Sequence, residues 1–529
     1  MKMNDTAQVA MTTGINPATG DVVGSITDTP VQAIPEIFAR ARRAQAVWGA
    51  LSFEARARHL RLMREYIIEN ADELARIVSI SNGKTMVDAM VTEVLPCTLA
   101  CNWYGANAAK VLKTERREMS SIIWIGKRSV LTHEPLGVVG IISPWNYPLS
   151  IPFGEIAMGL MAGNAILLKV AAATPLVGQA IEKIVAAGQL PDGLFHHLVG
   201  PGAGISSAMF ENGVDKVFFT GSVPAGKDLM AQASRTLTPL SLELGGKDPM
   251  IVLEDADLER AANGAAWAGY QNAGQSCGGV ERIYVHEAVY EPFVKLLAAK
   301  TAALRQGVPD AECTVDVGAM TTAKQRRVVE RQVDDAVANG AKIVAQSQLA
   351  AGLTGEFYPA TLMTDVTHDM ILMRDETFGP VLPVMKFRTE DEAVALANDC
   401  TMALTASIWS RNTPRAKALA KRVRGGVVTI NDHLYTHGMS DLPWGGPGES
   451  GIGRTHGPEG LMEMSKPKAI NWDYARASNN LWWYPQDRKT YEVIKHAMRM
   501  GSPRNLWDFV YAAMKVLPHM IKRMYFSKR

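Results

Sequence analysis

The sequence predicts an α/β protein made of two doubly wound parallel sheets with a small β arm. Two alternating series and the chain length carry that prediction. From Gly137 to about Glu243, short apolar strands (Gly137–Ser143, Ala165–Lys169, Leu194–Val199, Lys216–Thr220) alternate with helices (Pro175–Ala187, Ala225–Ala233), the pattern of a parallel sheet covered on both faces. A second series of the same kind runs from Pro249 to about Asn431, with strands at Ile283–Val285, Lys342–Val344, Val381–Lys386, Leu404–Ile408 and Gly426–Ile430. At 529 residues the chain exceeds what one core sustains, so two or three domains are expected.

The other elements follow in chain order. Met1 to Gly20 is polar and lacks the apolar centre of a signal peptide. Residues 31–117 read as helices, because Val31, Ile34, Ile37 and Phe38, then Leu60, Met63, Ile67 and Ile68, recur at helical spacing. The period changes over 119–134, where Ser121–Leu131 reads as two strands around a turn at Gly126-Lys127. The most apolar stretch, Ile156–Leu168, is interrupted by Asn164 and closed by Lys169, so no run reaches the length of a membrane span. Gly200-Pro201-Gly202-Ala203-Gly204 only approximates a dinucleotide fingerprint and reads as a loop. Gly-rich residues 442–454 read as an ordered loop. In the tail, Leu506, Phe509, Val510, Ala513, Met514 and Leu517 give a helix over Asn505–Leu517, which Pro518 is expected to break.

Composition excludes several classes. A formal charge of +2 lacks the basic excess of a polyanion binder, so no nucleic-acid partner is expected. The five cysteines (Cys97, Cys101, Cys277, Cys313, Cys400) show no zinc-knuckle spacing, and no metal is expected. They read as reduced thiols in a cytoplasmic protein.

Chemistry concentrates in two Gly-rich runs. Cys277 lies in Gly274-Gln275-Ser276-Cys277, and Glu243 lies 34 positions upstream in Glu243-Leu244-Gly245-Gly246-Lys247. A thiol attacks a carbonyl and a carboxylate makes water a nucleophile, the pair that a covalent thioester route requires. Taken alone, Cys277 reads equally as a small buried hydrophobe. Asn146 before Tyr147-Pro148 reads equally as a turn residue.

These residues sit in a set of motifs that resembles the aldehyde dehydrogenase superfamily over roughly residues 15–475. The set is Asn16-Pro17-Ala18-Thr19-Gly20, Pro144-Trp145-Asn146-Tyr147-Pro148, Phe219-Thr220-Gly221-Ser222, Glu243-Leu244-Gly245-Gly246-Lys247, Gly274-Gln275-Ser276-Cys277, Glu376-Thr377-Phe378-Gly379-Pro380 and Pro443-Trp444-Gly445-Gly446. The resemblance implies an aldehyde-dehydrogenase-like fold. Residues 1–117 and 136–244 would form the Rossmann-like cofactor domain, 118–135 and 466–475 an oligomerisation arm, and 245–465 the catalytic domain. Residues 476–529 would be an aromatic and basic extension. Cys277 would be the nucleophile, Asn146 the oxyanion donor and Glu243 the base for hydrolysis. The cofactor, NAD or NADP, would be held by Trp145, Lys169, Gly221, Ser222, Glu376 and Phe378. Glu243 also speaks against the CoA-acylating branch.

Two departures from the family pattern are informative. Lys169-Val170-Ala171-Ala172 stands where the family often reads Lys-Pro-Ser-Glu. Ala172 removes a carboxylate that would bond the ribose and repel a 2′-phosphate, so NADP should be tolerated. Thr455 follows Gly453-Arg454 where some members carry an acid. The substrate channel would include Tyr147, Ile151, Trp267 and Tyr270, a largely apolar set that implies a hydrophobic aldehyde. Succinic semialdehyde is the rival substrate and would need a cationic clamp. A silent binding protein on the same scaffold is the rival class, disfavoured by the retained Cys277, Glu243 and Asn146. The resemblance also implies a homodimer or homotetramer, the 119–134 hairpin and the strand near Ala469–Trp472 extending a neighbour's sheet. From Arg504 onward six basic residues face one acid, so residues 504–529 could lie peripherally on an anionic membrane.

Overall fold

The computed structural model describes residues 10–119, 124, 126–475 and 477–526. Packing divides the chain into two compact units, Met1–Val111 with Pro135–Lys466, and Leu112–Glu134 with Pro467–Arg529. Both α/β series therefore fall in one unit. The arm and the C-terminal extension, expected apart, fall together in the other.

The larger unit contains a six-stranded sheet in the order Gly451–Ile452, Leu240–Glu243, Lys216–Thr220, Val138–Ile142, Ala165–Lys169, Phe195–His197. Every neighbouring pair is parallel except the first. Strand 165–169 is fully buried, which is why it is apolar without alternation. Chain order leaves strand 138–142 in both directions across the sheet, so a switch point lies beside it. The crevice at such a point opens at the carboxyl ends of the strands. Those ends carry Pro144–Asn146, Lys169, Thr220–Ser222 and Glu243. The helix Ser150–Ala162 covers this sheet with every residue buried, and Gly163 ends it at φ +96°, where only glycine is comfortable.

A second sheet has the order Lys342–Gln346, Thr361–Thr364, Val381–Phe387, Val280–His286, Asp248–Val252, Thr405–Trp409, Val427–Ile430. It is parallel apart from its first pair. Its core packs Ile251, Tyr284, Phe293, Leu382 and Trp409.

Three local expectations are corrected. Glu115–Arg117, read as helical, is a strand, its three charged side chains suiting an exposed sheet edge. Gly202-Ala203-Gly204 is the first turn of the helix Gly202–Glu211, with Pro201 pre-set at the N-cap, rather than a loop. Pro518 lies inside a helix that runs on to Ile521. Ala512, Val516, Met520 and Met524 fall four apart and are all buried, so burial offsets the roughly 3 kcal/mol that an internal proline costs.

In the smaller unit, Ser465–Asp473, Lys127–Pro135 and Glu115–Arg117 form a three-stranded sheet in that order. The strand expected over 121–125 lies outside the described residues apart from Trp124. The helices Arg488–Gly501 and Leu506–Ile521 pack together around Leu481, Val493, Met500 and Val516. Among the described residues no helix is long and apolar enough to cross a membrane.

Candidate active site

Cys277 lines one cleft and a small chamber, and a second cleft shares His437 with that chamber. The first cleft, of about 310 Å³, is lined by Trp145, Asn146, Gly221, Ser222, Glu376 and Phe378, among others, and by Cys277 itself. The second cleft, of about 260 Å³, is lined by Leu95, Leu99, Tyr147, Trp267, Leu434 and Met439, again among others. The chamber adjoins both: Cys277 and Thr220 belong to it and to the first cleft, His437 to it and to the second. Glu243, Glu155, Ile151, Trp444, Thr455 and His456 complete the chamber.

The loop before Cys277 is held in an unusual conformation. Asn272 (φ +53°), Ala273 (φ +52°) and Gly274 (φ +70°) all lie in the left-handed region, which costs of order 1 kcal/mol or more per non-glycine residue. Hydrogen bonds fix it. Asn272 Nδ2 donates to the carbonyls of Asn146 (2.9 Å) and Gln275 (3.1 Å), and Thr321 N–H donates to Gln275 Oε1 (2.9 Å). A Cβ at Gly274 would stand 2.2 Å from the Gly379 backbone, so this turn requires glycine. Beyond Cys277, the Gly278 carbonyl receives Thr405 Oγ1 (3.1 Å) and lies 2.8 Å from His433 Nε2.

Asn146 is buried, and its Nδ2 donates to the Gln275 carbonyl (3.1 Å), which aims the amide at the Cys277 loop. Its backbone carbonyl receives Lys84 Nζ at 2.9 Å. Lys84 in turn pairs with Glu93 at 2.6 Å, both side chains fully buried. Glu93 Oε2 also accepts the N–H groups of Leu149 (3.0 Å) and Ser150 (2.8 Å). The pair thus ties the Trp145–Tyr147 loop to the start of the next helix. Sequence reasoning missed it: Lys84 follows a helix C-cap glycine and resembles an ordinary terminal charge.

Glu243 is buried with neither carboxylate oxygen bonded to protein. Burial, reinforced by the nearby Glu155 charge and opposed by Arg454, pushes its carboxyl well above the usual range. Cys277 is partly exposed to the cleft. Burial on its other sides, then the charges of Glu376, Asp248 and Glu243, push its thiol up, against a smaller lowering by the Gly278 backbone N–H.

On the polar side, Glu376 Oε1 accepts Gly246 N–H at 3.1 Å. A Cβ at Gly245 would stand 2.5 Å from Glu376 Oε2, and one at Gly246 would stand 2.6 Å from the Cys277 carbonyl. The glycine pair therefore lets the backbone close on both groups. Phe378 (φ +49°) meets Trp145 edge-on at 5.4 Å. A second buried ion pair underlies this loop: Lys247 Nζ donates to Glu281 at 2.6 Å, and Glu281 accepts the N–H groups of Thr377 and Phe378, each at 2.8 Å. Ser222 is the N-cap of the helix Val223–Ala233, and its side chain makes no capping bond. The free N–H groups of the first turn, with the helix dipole, favour an anion there. Lys169 ends its strand, buried, near Gly202 rather than among the residues lining this cleft.

Of the four expected channel residues, Tyr147 and Trp267 line the apolar cleft and Ile151 the chamber. Tyr270 lines neither. It is buried in the core of the second sheet with its hydroxyl 3.1 Å from Thr301 Oγ1, and its edge meets a different cleft. The left-handed bend at Asn272 begins immediately after it, so Tyr270 stays with its helix while the chain turns toward Cys277. Among the described residues no group of three or more His, Cys, Asp or Glu is placed to hold a metal.

Three comparisons bear on this geometry. The profile of the aldehyde dehydrogenase family matches residues 4–470. A 4,4'-diapolycopene aldehyde oxidase of Methylomonas sp is 36% identical over 503 residues, 95% of this chain and 92% of that one. Among solved structures, an aldehyde dehydrogenase from Brucella melitensis biovar abortus 2308 superposes with a TM-score of 0.84 at 33% identity, covering 88% of this chain and 95% of its own. A succinate-semialdehyde dehydrogenase from Burkholderia pseudomallei does so with 0.84 at 31% identity and the same two coverages.

Proposed function

This chain belongs to the aldehyde dehydrogenase family, and from that premise we propose that it oxidises a hydrophobic aldehyde to its carboxylic acid through an acyl intermediate on Cys277. It is an NAD(P)-dependent oxidoreductase that acts on an aldehyde. The observation that carries the finer reading is that Cys277 lines both a polar cleft and a chamber whose His437 also lines an apolar cleft.

The aldehyde arrives through the apolar cleft, and Cys277 Sγ bonds to its carbonyl carbon. The negative oxygen so formed is stabilised by Asn146 Nδ2 and the Cys277 N–H, worth roughly 3 kcal/mol for one such donor. The polar cleft fits a dinucleotide: the first turn of the 223–233 helix would suit the pyrophosphate, Glu376 would hold the nicotinamide ribose, and Trp145 and Phe378 would lie on the ring side. Lys169, beyond this cleft near Gly202, would hold the adenosine ribose. When bound, the nicotinamide supplies the hydride acceptor that the oxidation needs. Glu243 then takes a proton from water, whose oxygen attacks the thioester.

None of the residues lining the apolar cleft is Lys or Arg. A buried cation, Lys84, is 4.2 Å from the Tyr147 ring but already paired with Glu93. That favours an uncharged, extended aldehyde over succinic semialdehyde. The second reading, a semialdehyde substrate, draws support from the succinate-semialdehyde dehydrogenase structure and from mycobacterial relatives named putative succinate-semialdehyde dehydrogenases, one of them 36% identical over 491 residues. A chain-length series of aldehydes with NAD and with NADP, followed at the reduced-nicotinamide absorbance, tests the first reading. Rates that climb with chain length support it. A maximum at succinic semialdehyde overturns the substrate while leaving the roles of Cys277, Glu243 and Asn146.

The exposed residue Ala172, next to the strand that ends in Lys169, supports tolerance of NADP. The arm's edge strand, Ser465–Asp473, is exposed along nearly its whole length and is paired in this chain on one side only. It would pair with a second copy in a homodimer or homotetramer, which light scattering in solution decides. The tail hairpin buries its own core, yet leaves Tyr484 (85%), Leu506 (73%), Trp507 (80%) and Phe526 (73%) exposed, and Lys515 and Lys522 are exposed as well. Exposed apolar and basic side chains of this kind suit an anionic bilayer surface. Serine at Leu506, Trp507 and Phe526 should abolish co-sedimentation with anionic vesicles; unchanged partition overturns the membrane contact.

A further inference from the structure

The chamber beside Cys277 holds more ionisable groups than the reaction above uses. Glu155 lies in the middle of the helix Ser150–Ala162, every residue of which is buried, where an unpartnered carboxyl is costly. Glu155 Oε2, both oxygens of Glu243 and His456 Nδ1 are buried without a protein hydrogen-bond partner, and all three side chains line this one chamber. Its free volume, about 10 Å³, suits a single water. The phenol of Tyr104 is buried without a protein partner as well. It feels the charges of Glu155 and of Asp441, and Asp441 is exposed. Tyr104 therefore lies within electrostatic reach of both the buried Glu155 and the exposed Asp441.

The other groups facing the pair are few. Arg454 favours the Glu243 carboxylate, and the Cys277 thiol faces it. His437 and His456 are pushed down by burial to about 3 and about 4, so neither is a cation at neutral pH. Burial pushes Glu155 up to about 8, near where a proton acceptor works at neutral pH.

We propose that Glu155 and Glu243 act as one proton-sharing carboxyl pair, in which Glu155 receives the proton that Glu243 takes from the hydrolytic water and passes it toward Tyr104 and Asp441. The proposal rests on the thioester reading above. In that step the water oxygen bonds to the thioester carbonyl carbon, and one water proton moves to Glu243 and on to Glu155. The C–S bond breaks with its electron pair on Sγ. The product leaves as its carboxylate and releases a second proton to solvent. Glu155 touches none of the reacting atoms and is a positioning residue for the proton. Two carboxyls so placed titrate as a pair rather than singly.

The test follows single turnovers of the full-length enzyme with aldehyde and NADP, measuring cofactor reduction and the acyl-Cys277 adduct trapped by acid and weighed as intact protein. Glu155→Gln keeps the side-chain shape. It should still form the adduct, hydrolyse it about tenfold or more slowly, and show its hydrolysis limb moved to lower pH, because Glu243 loses a like-charged neighbour. Glu155→Asp should recover part of the rate and the parent limb, and Tyr104→Phe should slow hydrolysis without removing the adduct. Parent-like hydrolysis and an unmoved limb in Glu155→Gln overturn the proposal. If Glu155→Gln does not fold, parent-like hydrolysis in Tyr104→Phe overturns it. Absence of any adduct, even in Glu243→Gln, overturns instead the thioester reading beneath it.

Discussion

Replacing Glu281 by Gln should loosen the cofactor cleft from beneath. In the folded chain the Glu281 carboxylate answers three donors, Lys247 Nζ at 2.6 Å and the N–H groups of Thr377 and Phe378 at 2.8 Å each. The Lys247 side chain is fully buried and Glu281 nearly so. Burial already pushes the Lys247 ammonium down, and the Glu281 charge holds it up. A glutamine offers one oxygen and turns an N–H₂ toward donors. Removing one charge of a buried pair costs roughly 3–5 kcal/mol. At the shallow conversion of long chains, about 2 °C per kcal/mol, Tm should fall by about 6–10 °C in a scan at fixed rate. Because Thr377 and Phe378 follow Glu376, the KM for the cofactor should rise about tenfold while the KM for aldehyde moves little. Lys247→Met supplies the cross-check. Made in the Glu281→Gln background, it removes the uncompensated cation and should destabilise by at least about 1 kcal/mol less than in the parent, the coupling expected of contacting groups. An unchanged Tm and cofactor KM in Glu281→Gln, or strict additivity in the cycle, refutes the reasoning.

Three further outcomes follow from the same geometry. Asn146→Ala should lower kcat/KM about a hundredfold, roughly 3 kcal/mol, and steady-state kinetics on the best aldehyde read it directly. Ala172→Glu should lower the NADP-to-NAD ratio of kcat/KM about tenfold, by restoring a carboxylate against a 2′-phosphate; a ratio that stays put places the 2′-phosphate elsewhere. Glu243 acts only as its carboxylate, and burial holds its carboxyl well above the ordinary range. The hydrolytic rate should therefore rise with pH and be lost as pH falls through that raised value, on a limb well above the roughly 4.3 of an exposed glutamate. A limb near 4–5 contradicts the burial argument.

Part of the site was legible because its residues lie in short motifs at the ends of strands. Pro144–Asn146, Thr220–Ser222 and Glu243 follow three neighbouring strands of one sheet. The topology of alternating elements was enough to gather their carboxyl ends. What holds those motifs was not legible. Lys84 with Glu93 and Lys247 with Glu281 are each a lysine and a glutamate some distance apart, a spacing that on an exposed helix or loop means nothing. Only the fold shows that both pairs are buried beneath the site. Tyr270 fails for a related reason. It stands three positions after Trp267 on one helix, yet Trp267 is 40% exposed and Tyr270 1%, because the left-handed bend at Asn272 starts where the helix ends. A period can place two side chains near one face; it cannot say where the chain leaves that face.

Glu155 shows the same limit from the other side. In sequence it is a single acid inside Ile151–Ala162, otherwise an apolar run of the kind that fills a core. A period argument would assign it to a gap in the packing or to solvent. The structure gives it neither, since the helix has no exposed face. A carboxyl that is buried with no protein counter-ion must stay protonated or exchange its proton with a neighbour, and the carboxyl that shares its chamber is the one proposed to activate water. The family pattern places no acid after Gly453-Arg454 here, only Thr455, which also lines the chamber. The hydroxyl of Thr455 bears no charge at any working pH, so the proton that Glu243 takes must leave by another wall. Glu155 is the other carboxyl lining that chamber, which is why its removal should slow hydrolysis and leave acylation standing.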